Sequence, residues 1–196
     1  MIKIYNEMEK EIVLTSEEIR AICEDIGTKL DERFARDNVS LPVFVGVLKG
    51  SLNFMMDLLR YIKTDLLTDY IQVTSYNGTS STGAVILKKD LSIDVKGKTV
   101  VIVEDVVDTG LTMKYLIAYL KDKYQPKEVI VVALFDKLYL RQISLHVDYT
   151  GKVLRENKFL VGYGLDYREV KRNVPYIYVA RKEDIEEIDN LLDNNK

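Results

Sequence analysis

The sequence predicts an α/β domain built on a mainly parallel central sheet flanked by helices. Runs of β-branched and aromatic residues alternate along the chain with stretches whose apolar residues recur at helical spacing. That alternation belongs to strand–helix–strand units, and strands so uniformly apolar belong to a sheet covered on both faces. In addition, two of the runs end in glycine-containing turns that open a helix, which is where open α/β sheets bind their ligands. No internal repeat, low-complexity segment or long linker interrupts the 196 residues, so residues 1–196 are read as one domain.

Each element follows from local pattern. Residues 11–14 (Glu11-Ile12-Val13-Leu14) read as a short strand or extended arm. Thr15-Ser16-Glu17-Glu18 is a capping box, with Thr15 capping a helix and Glu18 reaching back. Ile19, Ile22, Cys23, Ile26 and Leu30 then line one helical stripe, which makes Cys23 a small core residue. Residues 42–48 form a buried strand, Lys49-Gly50 turns the chain, and Ser51 is expected to cap a helix over 52–62. Lys49, at a strand's carboxyl end beside glycine, reads either as a solvated lysine or as an anion ligand.

Residues 68–76 alternate as a strand, and residues 77–83 are small and polar with two glycines. They read as a hairpin loop or as a lid that closes during turnover, and residues 84–87 resume the strand. Val100-Val101-Ile102-Val103 open the central strand. Glu104-Asp105, Val106-Val107, Asp108 and the turn Thr109-Gly110-Leu111-Thr112 follow, and residues 113–120 continue as a helix. Residues 128–135 are another buried strand, ending at Asp136-Lys137. Residues 138–158 hold Arg141, Gly151 and His146, the last in an alternating apolar–polar stretch. A strand over 159–164, a polar turn over 166–172, a strand over 176–180 and a helix over 183–192 complete the chain.

Composition narrows the function. The net charge of −3 gives no global attraction to nucleic acid or to an anionic membrane. One cysteine and one histidine exclude an internal disulfide, a cysteine- or histidine-rich metal cluster and a Ser-His-Asp triad. No apolar run approaches the ~18 residues of a membrane span, and the charged N-terminus lacks the apolar run of a signal peptide. The cytoplasm is the expected location.

The stretch 100–112 is the richest in chemistry. Backbone N–H groups at a helix start, with two threonine hydroxyls, suit a phosphate. Glu104, Asp105 and Asp108 repel phosphate, so their partners are hydroxyl groups, a metal ion or a proton to be moved. Asp108-Thr109-Gly110 also occurs in aspartic proteases, but those are all-β and need two facing copies. No Walker A motif is present, and Gly162-Tyr163-Gly164 lacks the third glycine of a dinucleotide fingerprint.

Taken whole, Val100 to Thr112 resembles the phosphoribosyl-pyrophosphate (PRPP) signature of the type I phosphoribosyltransferases. Val47-Leu48-Lys49-Gly50-Ser51 resembles the pyrophosphate loop of their hypoxanthine-guanine branch, and Ser75-Tyr76 heads a loop where that branch keeps its lid. Phe159-Leu160-Val161-Gly162-Tyr163-Gly164-Leu165-Asp166-Tyr167, with Arg172 beyond, is similar to its C-terminal motif. The resemblance departs between Lys137 and Phe159. There Leu138-Tyr139-Leu140-Arg141 replaces a segment with a proline and arginines, and residues 151–157 lack the usual Gly-Phe-Glu-Ile-Pro.

The resemblance implies the type I phosphoribosyltransferase fold with a small hood, formed by N-terminal residues and about 138–180. It implies purine salvage: Mg²⁺-dependent transfer of a phosphoribosyl group from PRPP to N9 of hypoxanthine or guanine. Glu104 and Asp105 would meet the ribose hydroxyls, directly or through Mg²⁺. Asp108, Thr109, Gly110, Leu111 and Thr112 would cradle the 5′-phosphate, with Asp108 also the general base. Leu48, Lys49, Gly50 and Arg172 would bind pyrophosphate, and the Leu48–Lys49 peptide is often cis in this family. Lys137, Phe159, Leu160 and Asp166 would line the purine side, Asp166 also holding Mg²⁺. Ser75 and Tyr76 would belong to the lid. A homodimer or homotetramer is implied. Two other readings share the fold: a xanthine-preferring enzyme, and an RNA-binding regulator of pyrimidine genes.

Overall fold

A computed structural model describes residues 10–75 and 85–195. Tyr76 and the rest of the expected lid through residue 83, like residues 1–9 of the expected hood, lie outside them. Ser75 is described only as the last position of its strand.

Six strands make the large sheet. They are β2 (Val43–Leu48), β3 (Leu67–Ser75), β4 (Val85–Lys89), β5 (Thr99–Val107), β6 (Glu128–Lys137) and β7 (Tyr149–Leu154), in the spatial order β4-β3-β2-β5-β6-β7. Every pair is parallel except β3 with β4. The expected mainly parallel sheet is therefore present. Alternate residues of the apolar strands enter opposite cores, as the period of two requires. Phe44, Val101, Val103, Ile130 and Val132 pack under α1 (Ser16–Arg36) and α2 (Leu52–Leu59). Val43, Val45, Val100, Ile102 and Val131 pack under α3 (Leu111–Tyr124), against Met113, Leu116 and Leu120. Each fully buried aliphatic side chain contributes roughly 1.5–3 kcal/mol, so both layers hold the strand ends in place.

A second sheet of three strands, β1 (Ile12–Leu14), β9 (Ile177–Val179) and β8 (Leu160–Val161), stands beside the first. The segment 138–180 is thus shared: β7 extends the large sheet, and β8 and β9 build the small one. The last helix, α4 (Lys182–Asp193), follows β9.

The Thr15 capping box forms as expected. The Thr15 hydroxyl accepts from the Glu18 N–H at 3.1 Å, and Glu18 accepts from the Thr15 N–H at 2.8 Å. Cys23 is fully buried on the α1 stripe, and burial pushes its thiol up to about 12. Ser51 corrects the reading. Its hydroxyl makes no cap to α2 but donates to the Val47 carbonyl at 2.7 Å, tying the loop back to β2. The helix it precedes stops at Leu59 rather than at residue 62. The strand expected over 159–164 shortens to β8, because Gly162 and Gly164 take left-handed φ values of 100° and 101°. No strand forms at His146; its side chain is 84% exposed, so it serves no buried site.

Candidate active site

Parallel register builds the site. Val107 of β5 stands opposite Asp136 of β6, so the next residues along, Asp108 and Lys137, emerge side by side. Their charged groups meet at 3.2 Å, with Lys137 nearly buried and Asp108 half exposed. On the other flank Gly46 of β2 stands opposite Val103, which sets Leu48 level with Asp105. The general-base candidate and the purine-lysine candidate thus touch, and the Lys49–Gly50 turn adjoins the Glu104–Asp105 pair.

The Glu104–Asp105 pair is electrostatically unsettled. Glu104 is buried, and the Asp105 N–H donates to its carboxylate at 3.1 Å. Burial pushes the Glu104 carboxyl well above the usual range, and the neighbouring Asp105 charge adds to it. Asp105 is also raised by burial, although the Val106 N–H at 2.7 Å and Arg172 work against that. Two carboxyls this short of donors are relieved by hydroxyl groups or by a cation.

The cradle follows. Gly110 takes φ 86° at the start of α3 and supplies no side-chain cap. The Thr109 hydroxyl accepts from the Leu111 N–H at 3.3 Å, while the first-turn N–H groups and the helix dipole favour an anion there. Thr112 lies in that first turn.

On the pyrophosphate side the Leu48–Lys49 peptide is cis, as the resemblance implies. A side chain at Gly50 would overlap the Asp105 carboxylate, and one at Gly164 would overlap the Gly50 carbonyl. Three segments therefore close on one another only because two glycines lie between them. Arg172 locks the junction, donating to the Gly164 carbonyl at 2.5 Å and pairing with Asp166 at 2.7 Å. Phe159, nearly half exposed, stands edge-on to Tyr167 with centroids 6.0 Å apart, leaving ring surface for a base. Leu160 is buried in β8, opposite Val179 of β9.

Two participants were missed in the sequence. Glu169 bonds Lys49 at 3.1 Å and Arg172 at 3.2 Å, and the Lys49 hydrogen bond, with Arg172, holds its carboxyl below the usual range. The Asp166, Glu169, Arg172 spacing of three was the available signal. Arg141 is bonded to Asp136 and lies against Gly110, and its Nε and Nη1 are buried without a hydrogen-bond partner. Gln142 beside it donates its N–H to the Thr109 carbonyl at 3.1 Å, so this segment backs the cradle. Arg141 is what remains of the arginines expected there.

Among the described residues no three His, Cys, Asp or Glu side chains converge to cage a metal. Glu104 and Asp105 form one pair, while Asp166 is engaged by Arg172 and by the Glu169 N–H at 2.7 Å. Such a donor set fits Mg²⁺, which takes one or two carboxylates plus substrate phosphate and keeps several waters. A cavity of about 510 Å³, lined by Arg20, Asn53, Asp57 and Tyr163, lies behind the Gly162–Gly164 turn and away from these groups. No helix among the described residues is long and apolar enough to cross a membrane.

Comparison with known proteins agrees with this geometry. Residues 12–168 match the family model described as the phosphoribosyl transferase domain. A hypoxanthine-guanine phosphoribosyltransferase of Staphylococcus aureus (strain Mu50) is 42% identical over 176 residues, covering 89% of this chain and 95% of the relative. One of Streptococcus pneumoniae (strain R6) is 39% identical over 175 residues, covering 89% and 94%. The crystal structure of a Staphylococcus aureus hypoxanthine phosphoribosyltransferase superposes with a TM-score of 0.84 at 38% identity, covering 93% of this chain and 98% of that one.

Proposed function

Since the chain belongs to the phosphoribosyl transferase family, in its hypoxanthine-guanine phosphoribosyltransferase branch, we propose that it joins PRPP to a 6-oxopurine, hypoxanthine or guanine. The products are the nucleoside 5′-monophosphate and pyrophosphate. The observation that carries this reading is the Asp108–Lys137 pair, which sets a proton acceptor and a base-recognising cation side by side at the phosphate cradle.

The bond from ribose C1′ to the pyrophosphate oxygen breaks, and its electron pair leaves with the pyrophosphate. Purine N9 bonds to C1′ from the other face. Asp108 takes the proton that purine N7 gives up, a contribution of about 10²–10⁴-fold. Lys137 turns from Asp108 to donate to purine O6, and Phe159 stacks on the ring. Lys49 and Arg172 stabilise the departing negative charge. Glu104 and Asp105 accept hydrogen bonds from the ribose hydroxyls, and the turn from Asp108 to Thr112 holds the 5′-phosphate. Glu104 and Asp105 on the ribose side and Asp166 on the pyrophosphate side would hold Mg²⁺, which would supply further neutralisation of the leaving group.

The test is pyrophosphate release from PRPP with Mg²⁺ and, in turn, hypoxanthine, guanine, xanthine, adenine and uracil. Release with hypoxanthine or guanine is expected. Release with xanthine alone would move the assignment to a xanthine-preferring enzyme, and no release with any base would replace catalysis by a regulatory role.

A further inference from the structure

We infer that Glu169 is a specificity-determining residue of the pyrophosphate subsite: its carboxylate keeps the anion's place between Lys49 and Arg172, and pyrophosphate must displace it. The inference rests on the reading above that these two cations receive pyrophosphate.

The two cations come from separate parts of the chain, the turn after β2 and the turn over 166–172. One oxygen, Glu169 Oε2, collects both, at 3.1 Å from Lys49 Nζ and at 3.2 and 3.3 Å from Arg172 Nη2 and Nε. The placement is built rather than incidental. Asp166 uses one oxygen to hold Arg172 at 2.7 Å and the other to accept the Glu169 N–H at 2.7 Å. The backbone supports it with left-handed φ values of 50° at Arg168 and 69° at Glu169, a conformation that non-glycine residues rarely adopt.

A tethered carboxylate in this position acts as a charge filter. It is already at the site, so it bears no association entropy, whereas a free anion does. A small anion of one or two charges gains little by replacing it. Pyrophosphate carries more charge on more oxygens and engages both cations at once, so it prevails. The Glu169 side chain is 63% exposed, which lets the displaced carboxylate move into water. Exposed pairs of this kind are individually weak, so the filter tunes affinity without closing the site.

The experiment compares wild type with Glu169→Gln and Glu169→Ala, reading KM for PRPP and the inhibition constants of pyrophosphate and orthophosphate at fixed Mg²⁺. Loss of the competing charge should lower KM for PRPP and the pyrophosphate constant about three- to tenfold, the orthophosphate constant falling at least as far. Constants that stay unchanged or rise in both variants overturn the inference. Lys49→Met separates that failure from failure of the underlying reading. If it weakens pyrophosphate while the Glu169 variants change nothing, the filter is wrong and the subsite stands. If it too leaves pyrophosphate inhibition unchanged, both fall.

Discussion

Asp69 and Glu104 both expose little surface, 6% and 8%, on strands of one sheet that β2 separates, yet Glu104 lies deeper and the two behave oppositely. Asp69, on β3, accepts the N–H groups of Tyr70 at 2.7 Å, Ser92 at 2.5 Å and Ile93 at 3.1 Å, with the Lys89 ammonium at 3.2 Å. Burial acts to raise its carboxyl, but those donors prevail and hold it below the usual range. Glu104, on β5, faces Asp105 and Asp108, and its carboxyl rises. The charge of a carboxyl is set jointly by how deep it lies and by the donors and charges the fold brings to it. The chain spends its N–H groups on Asp69, which staples the loop after β4 to the sheet. Glu104 receives the Asp105 N–H at 3.1 Å, which does not offset its burial and the neighbouring charges, and in the proposed function that carboxyl is the one that takes ribose hydroxyls and a cation.

The comparison is broken most directly at Asp69. Asp69→Ala strands three N–H donors, while Lys89 keeps its other acceptors, and should cost about 2–4 kcal/mol in urea unfolding. A loss below 1 kcal/mol would mean that Asp69 is not the staple described. Glu104→Gln should act in the other sense on stability, raising that of the ligand-free protein by about 0.5–2 kcal/mol. The same change should raise KM for PRPP about tenfold or more, since charge-assisted bonds to the ribose are lost. A variant both less stable and equally active would reverse the assignment.

Titration sharpens the contrast. The Glu104–Asp105 pair has raised values in the folded state, so its stabilising effect is full below the ordinary aspartate value of 3.8 and fades as pH rises through the folded values. The advantage of Glu104→Gln should therefore grow from pH 4.5 upward. Asp69 is lowered, so its contribution is present above 3.8 and fades as pH falls through its folded value. Urea midpoints measured along a pH series check both, and parallel curves for wild type and Glu104→Gln would refute the first. The smallest effect belongs to Asp90, which also lies near the loop after β4 but pairs with an exposed lysine. Lys123→Met should cost no more than about 1 kcal/mol by thermal unfolding, because half of the Lys123 side chain faces water.

The contrast between Asp69 and Glu104 was only partly legible in the chain. Glu104 stands in a contiguous run of strand, carboxylates and helix-opening turn, and such a run marks a candidate site without knowledge of the fold. Apart from the adjacent Tyr70 N–H, Asp69 draws its donors from residues 89–93, about twenty positions away, and nothing local marks those. The Thr15 capping box, the α1 stripe and the apolar strands were legible for the same reason as Glu104: each pattern closes within one or two turns of chain. Ser51 shows the limit of that reasoning, since its hydroxyl had a competing acceptor at Val47 that a capping rule does not count.

By itself, then, the sequence determined the α/β class, the order of the motifs and the run of residues proposed to take phosphate and ribose, because these rest on neighbours a few residues apart. Tertiary structure alone decided the rest. Parallel register brought Lys137 to Asp108, two glycines let Gly164 and Asp105 close on the Gly50 turn, and Arg141 came to lie behind Gly110. It also put Glu169 between Lys49 and Arg172, 120 residues from the former. Contacts of that range depend on how layers pack and how strands align, and local propensity carries no record of either.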